Sequence, residues 1–201
     1  MAKIDYAIYT VHTAFWWSFG ITRLVLRALD RKDAGARPAA PVATEEKTAP
    51  FSRALLAFHA LAFGLMYFGI GLAVMRERVF IWFSGQRIVG TLVIISGAAL
   101  MAWALVYFRS WRFRAKLDED HELATGGPFR FLRHPLYMGL NLLALGSAVW
   151  VPTPMTWAAC VLMIVGSDLR ARTEETLLAQ AFGEVYGEYC RRTARFIPGV
   201  Y

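Results

Sequence analysis

The chain has 201 residues, enough for one domain, and 57% of them are hydrophobic, well above the share in an ordinary soluble domain. Its formal net charge is +7, but the cations sit between long apolar runs and no nucleic-acid module is present, so no nucleic-acid partner is expected. The charge reads instead as a topology signal and an attraction to anionic lipid.

The first candidate span is Ile4 to Leu24, "IDYAIYTVHTAFWWSFGITRL", polar at its ends and interrupted by His12. A helix lying in the membrane interface is the alternative. Asp5, His12 and Arg23 set this stretch apart from a signal peptide. The segment Asp33 to Pro50, "DAGARPAAPVATEEKTAP", reads as a flexible linker. The second span is Ala54 to Met75, with His59 as its polar intruder, and the third is Ile88 to Phe108. Leu136 to Val151 and Met155 to Ser167 form a pair joined by "VPTP", where Pro152 and Pro154 mark a tight helical hairpin. From Thr173 to Arg192, Leu177, Leu178, Ala181, Phe182, Val185 and Tyr189 form a helical stripe opposite Glu184 and Glu188.

These elements predict an all-α fold: a polytopic integral membrane helical bundle of about five spans with a C-terminal amphipathic helix at the cytoplasmic face. Residues 1–30 hold the first span or interfacial helix, 31–53 the linker, 54–108 two spans, and 109–201 the catalytic part. Arginine and lysine concentrate in the linker, in residues 109–133 and in the tail. The positive-inside rule then puts these three on one side and the N-terminus on the other. Cys160 lies in an apolar run and Cys190 near the C-terminus, which argues against a disulfide framework. No metal is expected, since neither the cysteines nor His121 and His134 have ligand spacing.

The polar chemistry gathers in two segments, "DEDHELATGGPFRFLRHPLY" (Asp118 to Tyr137) and "SDLRARTEE" (Ser167 to Glu175), which converge if the fourth and fifth spans form a hairpin. In "RHPLY", Pro135 suits the first turn of a helix, whose unpaired N–H groups favour negative charge. Arg133, His134 and Tyr137 are then either ordinary flanking residues of a membrane helix or one wall of a site. Gly126, Gly127 and Pro128 are either a plain turn or a place where backbone approaches a ligand closely.

Glu174 and Glu175 point about 100° apart on a helix, so they cannot both face one ligand group squarely. Asp168 and Arg172, and Arg170 and Glu174, have i,i+4 spacing, and a solvated charged face is the alternative reading. Asn141 sits in an apolar span and needs a partner, either across helices or at the floor of a site. His12 and His59 are read as packing or interhelical bonding residues.

"HELATGGPFRFLRHPLYMG" resembles the signature of the isoprenylcysteine carboxyl methyltransferases and the related membrane phospholipid methyltransferases. The spacing of Arg170, the two glutamates and "FGEVYGEY" is similar to the second half of that signature, as is the closing "RFIP". The resemblance covers about His121 to Pro198. It implies a membrane methyltransferase using S-adenosyl-L-methionine, held between the loop before the HPxY helix and the helix with the paired acids. It assigns His121, Leu123, Gly127, His134, Tyr137 and Glu174 to the cofactor, with Arg133 suited to the cofactor's carboxylate. Arg170 would orient an anionic acceptor, Glu175 is the candidate base for a protonated one, and Asn141 lies where cofactor and acceptor meet. Phe129 departs from the family, which often has Tyr there.

The partners implied are the lipid bilayer and a hydrophobic or lipidic acceptor: a prenylated cysteine carboxylate, a phospholipid amine or a small thiol. A sterol-reductase-like enzyme and a non-enzymatic membrane protein are the competing readings. A bacterial inner membrane, with the site facing the cytoplasm, is the expected location.

Overall fold

The structure, a computed structural model, describes residues 6–34, 47–48, 52–76, 80–107, 116–117 and 123–201. It is helical: α1 (Ala7–Ala34), α2 (Ser52–Met75), α3 (Gln86–Tyr107), α4 (Pro135–Trp150) and α5 (Pro154–Arg192), with a 3₁₀ turn at Gly127–Arg130. Two short strands, β1 (Lys47–Thr48) and β2 (Lys116–Leu117), pair antiparallel and join the expected linker to the segment before the site. α2 and α3 are each long and apolar enough to cross a membrane, whereas α4, at 16 residues, is shorter than the roughly 20 that a span needs.

α1 extends ten residues past the expected Leu24, and its inner face is part of the bundle, since Ile8, His12 and Phe15 are buried. His12 fixes that docking. Its Nδ1 lies 3.2 Å from the Tyr67 hydroxyl, which also accepts from Trp16 Nε1 at 2.7 Å. On the other side its Nε2 lies 3.0 Å from Ser147 Oγ, whose proton goes to the Leu143 carbonyl at 2.6 Å. The directions leave one neutral tautomer, with Tyr67 donating to Nδ1 and Nε2–H donating to Ser147. This satisfied chain ties α1 to α2 and α4, the interhelical bonding expected of His12.

α3 and α4 approach closely because glycines face glycines. A Cβ on Gly90 would lie 2.7 Å from the Gly146 carbonyl, and one on Gly146 would lie 2.7 Å from that of Gly90. Gly97 and Gly139 repeat the arrangement at 2.7 and 2.9 Å. The two pairs are seven residues apart on each helix and run in opposite directions, as antiparallel neighbours require. Small residues at such a contact let backbones approach, which drives association where lipid removes the hydrophobic incentive. At the far end Gln86 closes the pair, with its Nε2 donating to Phe80 and Trp150 carbonyls at 2.9 and 3.3 Å.

Pro135 is the first residue of α4, and Thr153 with Thr156 forms a capping box ahead of Pro154 at the start of α5. The expected break between the fifth span and a separate amphipathic helix is absent. α5 runs on for 39 residues, because nothing between Ser167 and Phe182 interrupts it, and it turns only at Gly183, where φ is 53°. That left-handed conformation favours glycine. Past it, the last turns fold toward the 3₁₀ turn, where the Tyr189 hydroxyl donates to the Phe129 carbonyl at 2.8 Å.

Candidate active site

The two polar segments meet at one end of the α4–α5 pair, as the hairpin predicts. Tyr137, in the first turn of α4, is the hub. Its hydroxyl donates to Glu174, and its ring stacks on His134 at 5.8 Å. The Arg170 guanidinium lies 5.5 Å from the centre of that ring, and the His59 ring lies 6.1 Å away. Arg170 Nε is also 3.4 Å from Glu174, and Arg172 pairs with Asp168 at 2.7 Å, so both i,i+4 pairs form.

The paired acids diverge as helical geometry requires. Glu174 faces Tyr137 and Arg170, while Glu175 faces the cations of the loop and tail. His134 stands between them, with Nδ1 3.7 Å from Glu174 and Nε2 3.2 Å from Glu175. Glu175 Oε1 receives Arg133 Nε at 2.8 Å and Arg195 Nε at 3.0 Å, and its Oε2 receives Arg195 Nη2 at 2.6 Å. Burial alone would raise the Glu175 carboxyl, but the hydrogen bonds from His134, Arg195 and Arg133 outweigh it and hold the group well below the usual carboxylate range. A carboxylate so committed is a poor proton acceptor, which argues against Glu175 as the base and for a role in fixing the loop to the tail.

Backbone bonds reinforce that junction. Leu132 and Ala194 form a parallel bridge, Arg133 N donates to the Ala194 carbonyl at 2.8 Å, and Ala194 N donates to that of Phe131 at 3.0 Å. Arg133 Nη1 adds the carbonyls of Cys190, at 3.2 Å, and Thr193. Arg195 reaches on to Asp168 at 3.2 Å, and the Tyr201 hydroxyl donates to Asp168 at 2.8 Å. Burial opposes ionisation of Asp168 too, and hydrogen bonds from Arg172 and Tyr201 lower it nonetheless.

Depressed carboxyl groups stabilise the fold above their ordinary values, and this contribution is lost as pH falls below them. The thermal midpoint of the detergent-solubilised protein should therefore be flat from neutral pH down to the ordinary glutamate value of 4.5 and fall below it. Titrating Glu175→Gln alongside wild type checks this, since the acid-dependent fall should be smaller in the variant.

The remaining sequence candidates fall as follows. His121 lies outside the described residues. Leu123 is half-buried ahead of the glycine turn. Gly127 has φ 56°, and the group that approaches it is the ring of Tyr107, which occupies the space a side chain would take. The glycine requirement at this turn thus comes both from its left-handed backbone and from the α3 ring packed against it. Asn141 lies one turn deeper than Tyr137, where its Oδ1 accepts from Ser167 at 2.9 Å, and Ser167 Oγ is also 3.4 Å from His59 Nε2. Among the described residues, no group of three His, Cys, Asp or Glu is arranged to hold a metal ion.

Residues missed by sequence reasoning are His59, Asp168 and Arg195 as parts of one polar cluster, together with Tyr107 and Tyr201. "RFIP" contained Arg195, but nothing local in the sequence says where its guanidinium goes.

Residues 85–185 match the family model described as phospholipid methyltransferase. The chain is similar to a probable protein-S-isoprenylcysteine O-methyltransferase of Oryza sativa subsp. indica, at 31% identity over 58% of this chain and 62% of that protein. It is also similar to protein-S-isoprenylcysteine O-methyltransferase B of Arabidopsis thaliana, at 32% identity over 55% of this chain and 58% of that one. It therefore matches a little under two thirds of these relatives' length. Among solved structures, the eukaryotic intramembrane Ras methyltransferase (isoprenylcysteine carboxyl methyltransferase) shares its fold, with TM-score 0.54 and 23% identity over 75% of this chain and 52% of that one. The chain is a polytopic membrane helical bundle, and it belongs to the phospholipid methyltransferase family.

Proposed function

We propose that this protein is an S-adenosyl-L-methionine-dependent integral membrane methyltransferase acting on a lipidic or small hydrophobic acceptor, an isoprenylcysteine-type carboxylate first among them. The observation that carries this reading is the convergence of His134, Tyr137, Arg170 and Glu174 at the end of an apolar helical pair. It gives a cluster of charged and aromatic side chains next to an apolar helical surface.

The chemistry of these residues fits the cofactor. Glu174 Oε1 is engaged by Tyr137 and Arg170, whereas Oε2 has no hydrogen bond among the described residues and suits an ammonium. Arg133 Nη2 likewise has no partner among them, and no side chain caps the start of α4, so both suit a carboxylate. When bound, the cofactor supplies an electrophilic methyl group on a sulfonium, open to in-line displacement.

The residues of the chain then serve to align and to exclude water. Arg170 presents a cation to an anionic acceptor, and the apolar helices admit that acceptor from the lipid. Because Glu175 is committed to arginines, an acceptor that arrives already deprotonated fits best, which favours a carboxylate over an amine or thiol. The arginines of the α3–α4 connection and of the tail support placing this end on the cytoplasmic side, and we assign the protein to a bacterial inner membrane.

A methyl-transfer screen with labelled cofactor against prenylcysteine analogues, phospholipid amines and small thiols tests this. Label is expected first in the prenylcysteine carboxylate, and labelled amine or thiol alone would reassign the acceptor. Calorimetry with S-adenosylhomocysteine tests the cofactor site. Glu174→Gln is expected to weaken binding roughly 10- to 100-fold by removing a charge-assisted contact to the ammonium. Binding as tight as wild type would remove Glu174 from the site.

A further inference from the structure

The motif residues all lie beyond residue 120, yet one side chain from the N-terminal half reaches them. His59, two turns into α2, is buried, and its ring lies 6.1 Å from the ring of Tyr137. Several features hold it there. Nδ1 lies 3.1 Å from the Leu55 carbonyl, which only accepts, so Nδ1 carries the proton. Nε2 faces Ser167 Oγ at 3.4 Å, and Ser167 in turn meets Asn141 at 2.9 Å. On α5, Gly166 makes room for the imidazole: a Cβ there would lie 3.3 Å from Cε1 and 3.4 Å from Nδ1 of His59. The tautomer is thus set by the Leu55 carbonyl of α2, and the ring is seated between α2 and the space that Gly166 leaves on α5.

Tyr137 is correspondingly confined. His134 stacks on its ring, Arg170 lies over it, and His59 closes a further side. Two torsions place the Tyr137 hydroxyl, and that hydroxyl holds Glu174. Removing the His59 ring would open a side of this packing and let Tyr137 leave the rotamer that presents its hydroxyl to Glu174.

We propose that His59 is a positioning residue of the active site: it holds the Tyr137 ring and, through the Tyr137 hydroxyl, sets the Glu174 carboxylate for the cofactor. This inference rests on the methyltransferase reading given above. It also gives α2 a part in the site besides spanning the membrane, and explains why a histidine stands in an otherwise apolar segment.

A double-mutant cycle tests it, read as S-adenosylhomocysteine affinity by calorimetry on full-length protein in detergent. His59→Ala is expected to weaken binding roughly three- to tenfold, in the range of measured couplings between contacting residues. His59→Phe, which keeps a ring against Tyr137, is expected to recover most of that loss. In a Tyr137→Ala background, His59→Ala should cost nothing further. A purely structural role would instead lower the thermal midpoint and leave the two losses additive, and additivity overturns the proposal. Tight binding by His59→Ala alone overturns it as well. Should His59→Ala fail to fold, His59→Phe and His59→Asn carry the same cycle, with Asn keeping a donor for Leu55 but no ring. Wild-type protein that binds no S-adenosylhomocysteine would overturn the methyltransferase reading itself, an outcome distinct from a failed cycle.

Discussion

Leucine in place of Gly146 is expected to leave little folded protein. A Cβ at that position meets the Gly90 carbonyl and Ile94 Cγ1 at 2.7 Å and Ile94 N at 3.1 Å, and two of those three atoms are backbone. The helices must therefore separate, and they cannot do so without also opening the Gly97–Gly139 contact and the Gln86 bond to the end of α4. Overpacking of this kind costs about 3 kcal/mol or more, a large part of the stability of a domain this size. The measurement is the midpoint of thermal aggregation in detergent, with Gly64→Leu and Gly71→Leu as controls. Nothing lies within 4 Å of a Cβ at either control position, and their midpoints should stay close to wild type. Equal losses at all three positions would mean that the α3–α4 approach is not special.

The second large effect is expected from Glu175→Ala. The variant leaves Arg133 with no carboxylate among the described residues and Arg195 with Asp168 alone, and the two arginine side chains are only 13% and 15% exposed. Breaking a buried pair by removing one partner costs roughly 3–5 kcal/mol, and the residual exposure here puts the expectation near the lower end, about 3 kcal/mol. The thermal midpoint should fall, and the tail from Ala194 onward should become sensitive to protease. A catalytic base would behave otherwise: stability would hold, and transfer to amine or thiol acceptors would be lost while transfer to carboxylates survived. The pair of measurements therefore separates an anchor from a base.

The sequence showed the helices well and their partners poorly. Spans two and three were legible to within two residues, because twenty apolar residues in a row have few other fates. Pro135 marked a helix start for the plain reason that proline has no N–H to leave unpaired, and Pro152 and Pro154 marked the turn of the hairpin. The divergence of Glu174 from Glu175 followed from helical geometry alone. By contrast, the continuity of α5 to Gly183 was not legible. An apolar run followed by an amphipathic one looks like two helices, and only the absence of a breaker argues for one. Glycine pairs seven residues apart on α3 and α4 were visible as letters, but reading them needs both helices and their relative direction. At Gly127 the sequence leaves a plain turn and an approach to a ligand both open, and that the Tyr107 ring takes the place of a side chain there is visible only in the fold. His59 and Arg195 show the deeper limit. Their roles come from partners 78 and 20 residues away, Tyr137 and Glu175, and spacing within one segment carries no such information.

The junction of Arg133, Glu175 and Arg195 also bears on the order in which the molecule assembles. α3 and α4 are neighbours in the chain and can associate as soon as both are made. The parallel bridge, however, joins Leu132 to Ala194, and the arginine on each side of it needs a carboxylate on a third segment. Contacts of long sequence separation form late, because a large loop must close before they are rewarded. Synthesis therefore yields a membrane-anchored bundle first and this polar junction last, once the residues after Arg192 have emerged. A chain arrested before that point would be held in the membrane with the Arg133–Glu175–Arg195 junction unmade.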